Sequence, residues 1–121
     1  MKSYESMKAI VKMLHDNGIT IVAGTDNMAG FSLHRELELY VEAGIPAVDA
    51  LRSATIVPAR VMKRDKELGT VAPGKLADVI LIDGDPTADI RNIRRVVLTV
   101  KDGAIYDPAK LYGEIGVKPA V

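Results

Sequence analysis

A chain of 121 residues fits one ordinary domain and is long enough to bury a core. Its 16 Lys plus Arg balance 16 Asp plus Glu, so no basic face invites phosphate-rich partners, and nucleic acid is not an expected ligand. The lack of cysteine removes disulfides, thiolate metal sites and cysteine nucleophiles together. No apolar run approaches the roughly 18 residues that span a bilayer, and residues 1–18 carry charges where a secretory leader needs an apolar middle. The expectation is a soluble, cytoplasmic chain with no membrane partner. Four tyrosines and one phenylalanine are the only aromatics, which leaves the core to Val, Ile, Leu, Ala and Met, a composition suited to helices on a parallel sheet.

From Ser3 to Asn17, Met7, Ile10, Val11 and Leu14 recur at helical spacing, with Ser3 available as a cap and Asn17-Gly18 as a stop. Residues 19–23 follow, apolar on both alternating faces and rich in β-branched side chains, which predicts a strand covered on both sides. Leu33, Leu37, Tyr40 and Val41 form a second helical stripe ending at Ala43-Gly44. Pro46 opens a further helix carrying Ala47, Ala50, Leu51 and Ala54 on one face. Pro58 interrupts that helix and begins a short one through about Met62.

The texture then changes. Residues 68–71, 79–83, 95–101 and 104–106 read as short strands separated by turns. Pro73-Gly74 suits the centre of a type II turn, and Asp102-Gly103 suits a tight hairpin that needs positive φ. Val96, Leu98 and Val100 alternate with Val97, Thr99 and Lys101, so this hairpin covers a core on one side. Residues 107–121 have two prolines and little periodicity, and are expected to wrap the surface.

The run "ITIVAGTDNMAG" ends its apolar strand on Asp26. Ligands of α/β sheets and barrels sit at the carboxyl ends of the parallel strands. A carboxylate placed there can coordinate a divalent metal and take a proton from an acidified water. It can equally hydrogen-bond its own loop, as Asp does routinely. On this residue alone both readings stay open.

The wider pattern narrows them. "AGTD", then "LHRELELYVEAGIPAVDALRSATIVPARVM", then "LGTVAPGKLADVILIDGDP" resemble, segment by segment, the carboxyl-terminal part of metal-dependent amidohydrolases, in particular the imidazolonepropionase- and prolidase-like branch. The resemblance covers residues 5–106. It implies an α/β fold: the last part of a distorted (β/α)8 barrel over residues 1–63, and the returning strands of a small β-sandwich with a tail over residues 64–121. By the same resemblance residues 19–23 are the eighth barrel strand, and Asp26 is both metal ligand and catalytic proton shuttle. The implied cofactor is a divalent metal, zinc, in the complete enzyme. The implied substrate is a small amide, cyclic amide or dipeptide cleaved by metal-activated water.

Much of that family's metal centre has no counterpart here. A His-x-His pair, a bridging lysine or glutamate and two further histidines are expected, whereas the only histidines are His15 and His34. His15 lies in the last turn of the first helix, where it complements the helix dipole. His34 stands where the family has its H-x-E-L histidine and is expected to line the substrate pocket, with packing against Glu36 as its structural alternative. Thr25 is a second pocket candidate, able to orient Asp26 or simply to satisfy strand geometry. The charges of Lys75 and Asp78 are expected to be structural, and Val57 replaces a frequent asparagine that would cap the short helix.

Catalytic zinc sites use about three protein ligands, so Asp26 alone does not make an enzyme. The expectation is an amidohydrolase portion that is inactive by itself, does not retain metal, and self-associates or requires a complementary barrel fragment. The alternative is a non-catalytic α/β module for oligomerisation or partner binding. A phosphate site is disfavoured, because the Gly24-to-Gly30 loop has an acid and no Walker lysine.

Overall fold

A computed structural model describes residues 2–25 and 32–118. The first helix, α1 (Lys2–Asp16), ends as its sequence predicts. The Asn17 side chain donates to the Met13 carbonyl at 2.8 Å, and the Gly18 and Ile19 amides reach His15 and Leu14. Val11 from its apolar stripe packs on the core. Met7 and Ile10 do not: they are 63% and 53% exposed.

Helices α2 (Ser32–Glu42), α3 (Ala47–Ser53) and α4 (Ile56–Val61) follow. Leu37 and Tyr40 of α2, Ile45 of the next turn and Ala50 of α3 form the centre of the core. The break before α4 falls at Thr55, and Pro58 sits in the first turn, where its missing N–H costs nothing. Thr55 makes no side-chain cap, because its hydroxyl donates to the Leu51 carbonyl at 2.9 Å. Val57 is therefore inside the helix rather than at its cap.

Strands β1 (Val79–Ile82), β2 (Val96–Lys101) and β3 (Ala104–Tyr106) form one antiparallel sheet in the order β1-β2-β3. Val79 faces Val100 and Leu81 faces Leu98, with an irregularity between Leu81 and Ile82. Asp102 (φ 50°) and Gly103 (φ 77°) give the positive dihedrals a two-residue hairpin demands. Asp78 braces this turn by accepting from the Lys101 ammonium at 2.6 Å and from the Asp102 amide at 3.0 Å.

Three sequence expectations need correction. Residues 19–23 pair with no strand; the parallel neighbours that would supply a ladder are not among the described residues. Covering on both faces is also absent, since Ile21 and Ala23 pack on the core while Ile19 and Val22 are about half exposed. Residues 68–71 form bends, not a strand. There the Lys75 ammonium donates to the Asp65 carbonyl and the Thr70 hydroxyl, both at 2.6 Å, and the backbone at Gly69 is pressed against α4.

The third correction concerns the tail, and one further helix has no counterpart among the predicted elements. A 3-10 helix at Ile90–Arg94, capped by the Asp89 carboxylate, sends Ile90 and Ile93 into the core. The tail contains α5 (Pro108–Glu114), capped by Asp107 with Pro108 in its first turn, and α5 packs on β2. Among the described residues no helix is long and apolar enough to cross a membrane.

Candidate functional site

Asp26, the predicted metal ligand and proton acceptor, lies outside the described residues. The chain is described up to Thr25, which is exposed, and resumes at Ser32, the first residue of α2. The segment leading to Asp26 is held from beneath. The Ala23 amide donates to the Ser53 carbonyl at 2.9 Å, and the buried Ser53 hydroxyl closes α3 by donating to Ala50 at 2.6 Å.

Where the described chain resumes, α2 carries His34 half-buried in its first turn. Burial pushes the imidazole below its ordinary value, the Arg94 guanidinium pushes it further down, and Glu38 works against both. The neutral form of His34 is thus favoured. Glu36 does not pair with it: the Glu36 carboxylate accepts from the Tyr40 hydroxyl at 2.6 Å. That bond, after burial, holds the Tyr40 phenol well above its ordinary value.

The strongest electrostatic feature beside this site was not evident in the sequence. Glu38, only 8% exposed, accepts from Arg94 of the 3-10 helix at 2.5 and 3.1 Å and from Arg35 at 3.1 Å. Arg35 also donates to Glu42 at 2.7 Å. The Arg94 bonds, and then Arg35, hold the Glu38 carboxyl below its usual range although burial opposes them. On the helix Glu38 lies to one side of the apolar stripe of Leu33, Leu37, Tyr40 and Val41, so the sequence did not mark it as a buried carboxylate in need of a cationic partner. Its partner's position, far along the chain, had no local signal.

His15 occupies the other end of the 19–25 segment. Its Nδ1 is 3.4 Å from Asp16 and its Nε2 is 3.4 Å from Asp49 of α3, so its ring bridges α1 and α3. It lines an open groove of about 550 Å³ together with Ile19, Ile21, Tyr40, Arg52 and Arg60. Neither Thr25 nor His34 lines this groove, which lies at the start of the segment rather than at its Asp26 end.

Among the described residues no group of three or more His, Asp or Glu side chains could hold a metal ion. They do not fit a divalent metal centre by themselves. Glu38 is committed to two arginines, Glu36 to a phenol and Asp49 to Arg52 and His15.

Comparison with known proteins places this arrangement. Residues 1–106 match the amidohydrolase family. The chain is 33% identical over 89 residues to a 5-methylthioadenosine/S-adenosylhomocysteine deaminase of Thermoanaerobacter pseudethanolicus, covering 64% of this chain and 21% of that protein. It is 32% identical over 80 residues to an imidazolonepropionase of the same organism, covering 62% of this chain and 19% of that protein.

Two solved structures resemble the fold. A Xaa-Pro dipeptidase with bound methionine superposes with a TM-score of 0.77 and 32% identity over 83% of this chain and 25% of its own. Molinate hydrolase superposes with a TM-score of 0.70 and 30% identity over 80% of this chain and 25% of its own. The chain therefore spans about a fifth to a quarter of the length of these four relatives. With the match running through the helices that flank Asp26 and on to the last strand of the sheet, this chain belongs to the amidohydrolase family of hydrolases.

Proposed function

We propose that this chain is the carboxyl-terminal portion of an enzyme that hydrolyses a C–N bond in a small amide, cyclic amide, dipeptide or amine-bearing substrate. Asp26 is its catalytic residue. Its carboxylate takes a proton from the attacking water, passes it to the departing nitrogen and serves as one ligand of a divalent metal, zinc. Because the only histidines of the chain are His15 and His34 and catalytic zinc sites use about three protein ligands, we assign the remaining ligands to the rest of the enzyme and expect the chain alone to be inactive and not to retain metal.

The observation that carries this reading is the family match over residues 1–106, which spans the G-T-D run ending in Asp26. The relatives named deaminase and dipeptidase both break C–N bonds, which supports the reaction class and leaves the substrate open. Thr25 and His34, which stand on either side of residues 26–31 in the sequence, are assigned to the substrate side of the site. Residues 1–63 are read as the end of the barrel and residues 64–121 as the returning strands of the sandwich with its tail. The cytoplasm is its proposed location.

The test is hydrolysis of small amides and dipeptides by the assembled enzyme, with Asp26→Asn as the comparison. Turnover should fall at least a hundredfold, the scale of losing a positioned base, while His34→Gln should change KM more than kcat. A non-catalytic oligomerisation module would be indifferent to Asp26→Asn.

A further inference from the structure

The His34 ring has no hydrogen-bond partner among the described residues, and the Glu36 carboxylate accepts from Tyr40 instead. Where the ring sits is therefore decided by where the first turns of α2 sit. Glu38 follows His34 by four residues, so the two share one face of α2, a turn apart. Glu38 is nearly buried on that face.

Arg94 grips the Glu38 carboxylate with two nitrogens, Nε and Nη2, a fork that fixes direction as well as distance. The base of that fork is held at several points. Ile90 and Ile93 of the 3-10 helix are buried in the core, the Asp89 carboxylate accepts from the Arg91 amide at 3.0 Å, and the Asn92 side chain donates to the Asp85 carbonyl at 2.9 Å. Among the described residues every other ion pair lies within residues 1–63 or within residues 64–121, and Glu38–Arg94 joins the two.

A nearly buried ion pair stabilises a fold little more than an apolar pair of the same volume. What it adds is one defined placement of the two elements that carry it. Charge points the same way, because both partners act on the His34 imidazole: after burial, Arg94 opposes its protonation and Glu38 favours it.

We infer that Arg94, acting through Glu38, is a positioning residue of the hydrolytic site: the pair clamps α2 to the 3-10 helix, so that His34 meets substrate from one fixed place. This rests on the assignment of His34 to the substrate side under the proposed function. It brings residues 64–121 into a site whose other members, Thr25, Asp26 and His34, all come from residues 1–63.

The first arm of the test follows the His34 ring by NMR across pH in the 121-residue chain. Arg94→Ala removes the cation that opposes protonation and leaves Glu38, so the ring should titrate higher than in the native chain. Glu38→Gln removes the group that favours protonation, so the ring should titrate lower. Mere loosening of the fold would move both variants the same way, up toward the ordinary value of 6.5. Arg94→Lys keeps the cation and loses the fork, and should restore the native titration.

The second arm measures hydrolysis of small amides and dipeptides by the assembled enzyme. Arg94→Ala should raise KM about fivefold or more with kcat within about twofold, and Arg94→Lys should recover only part of that rise. Because Arg94 acts through His34, adding Arg94→Ala to His34→Gln should raise KM no further.

The inference is overturned if the two titrations move in the same direction, if Arg94→Ala leaves KM unchanged, or if the effects of Arg94→Ala and His34→Gln add. If no substrate is turned over, or Asp26→Asn leaves turnover intact, the hydrolytic reading fails and the ring titrations alone decide whether Arg94 governs His34. The two readings thus fail separately.

Discussion

Glu38 of α2 accepts two hydrogen bonds from the guanidinium of Arg94, 56 residues further along the chain. The pair joins the helix that follows Asp26 to the 3-10 helix that follows β1, and it does so beside His34. Removing Arg94 leaves a nearly buried carboxylate short of its main partner, and bonds to charged groups contribute about 1.5–3 kcal/mol each. Arg94→Ala should lower stability in urea by about 2 kcal/mol. Arg35→Ala, which removes a half-exposed partner, should cost at most about 1 kcal/mol. Equal losses would show that the Glu38–Arg94 link is not the dominant one.

The same cluster contributes to the acid sensitivity of the fold. The Glu38 carboxyl is depressed in the folded state, chiefly by Arg94, so its stabilisation is complete above the ordinary value of 4.5 and is lost as pH falls through the lower folded value. Glu38→Gln should start from lower stability at neutral pH and lose less on acidification. A variant as acid-sensitive as the native chain would place the titration elsewhere.

His34 acts at a higher pH. Its folded imidazole titrates below the ordinary 6.5, chiefly because it is buried, so the unfolded chain binds the extra proton first. Stability should fall as pH drops from about 6.5 toward the folded value and should be level with respect to this group above 6.5. His34→Gln should remove that part of the slope between about pH 7.5 and about pH 5.5. Thermal midpoints across this range test it, and an unchanged slope would contradict it.

Gly69 is the position where the chain tolerates no side chain. Its φ is +89°, and a Cβ there would lie 2.8 Å from the Ala59 Cβ and 2.9 Å from the Ile56 Cα. Gly69→Ala should cost about 2 kcal/mol or more by overpacking plus backbone strain. Gly74→Ala, with φ +83° and open space around it, should cost only the backbone part, about 1 kcal/mol. Urea midpoints for the two variants should differ in that order.

Asp107 closes the first turn of α5 through a bond from the Ala109 amide at 2.9 Å. Asp107→Ala should speed amide exchange in α5 about fivefold, the factor that corresponds to a lost cap. The sheet should be unaffected.

The parts of the fold that local chemistry dictates were legible in the sequence. Periodicity placed α1, α2 and α3, Pro58 placed the break before α4, and Asp102-Gly103 placed the β2–β3 hairpin. The misses share a cause in tertiary context. Residues 19–23 have strand composition without a neighbour to pair with, and Leu68 to Val71 lost their strand character to the close approach of Gly69 to α4 and the grip of Lys75. The 3-10 helix and α5 were readable after all, since Asp89 and Asp107-Pro108 are capping signals that the weak apolar periodicity around them obscured. In the candidate site, Asp26 and His34 could be selected from pattern and resemblance. The Glu38–Arg94 pair could not, because nothing in a linear sequence joins residues so far apart.

The most direct measurement is the metal content of the purified 121-residue chain after a mild chelator wash. The account predicts essentially no retained zinc or other divalent metal, because a single carboxylate is far from the roughly three protein ligands of a catalytic site. Close to one equivalent per chain would contradict it, since a complete centre would then have formed without any ligand from outside the chain.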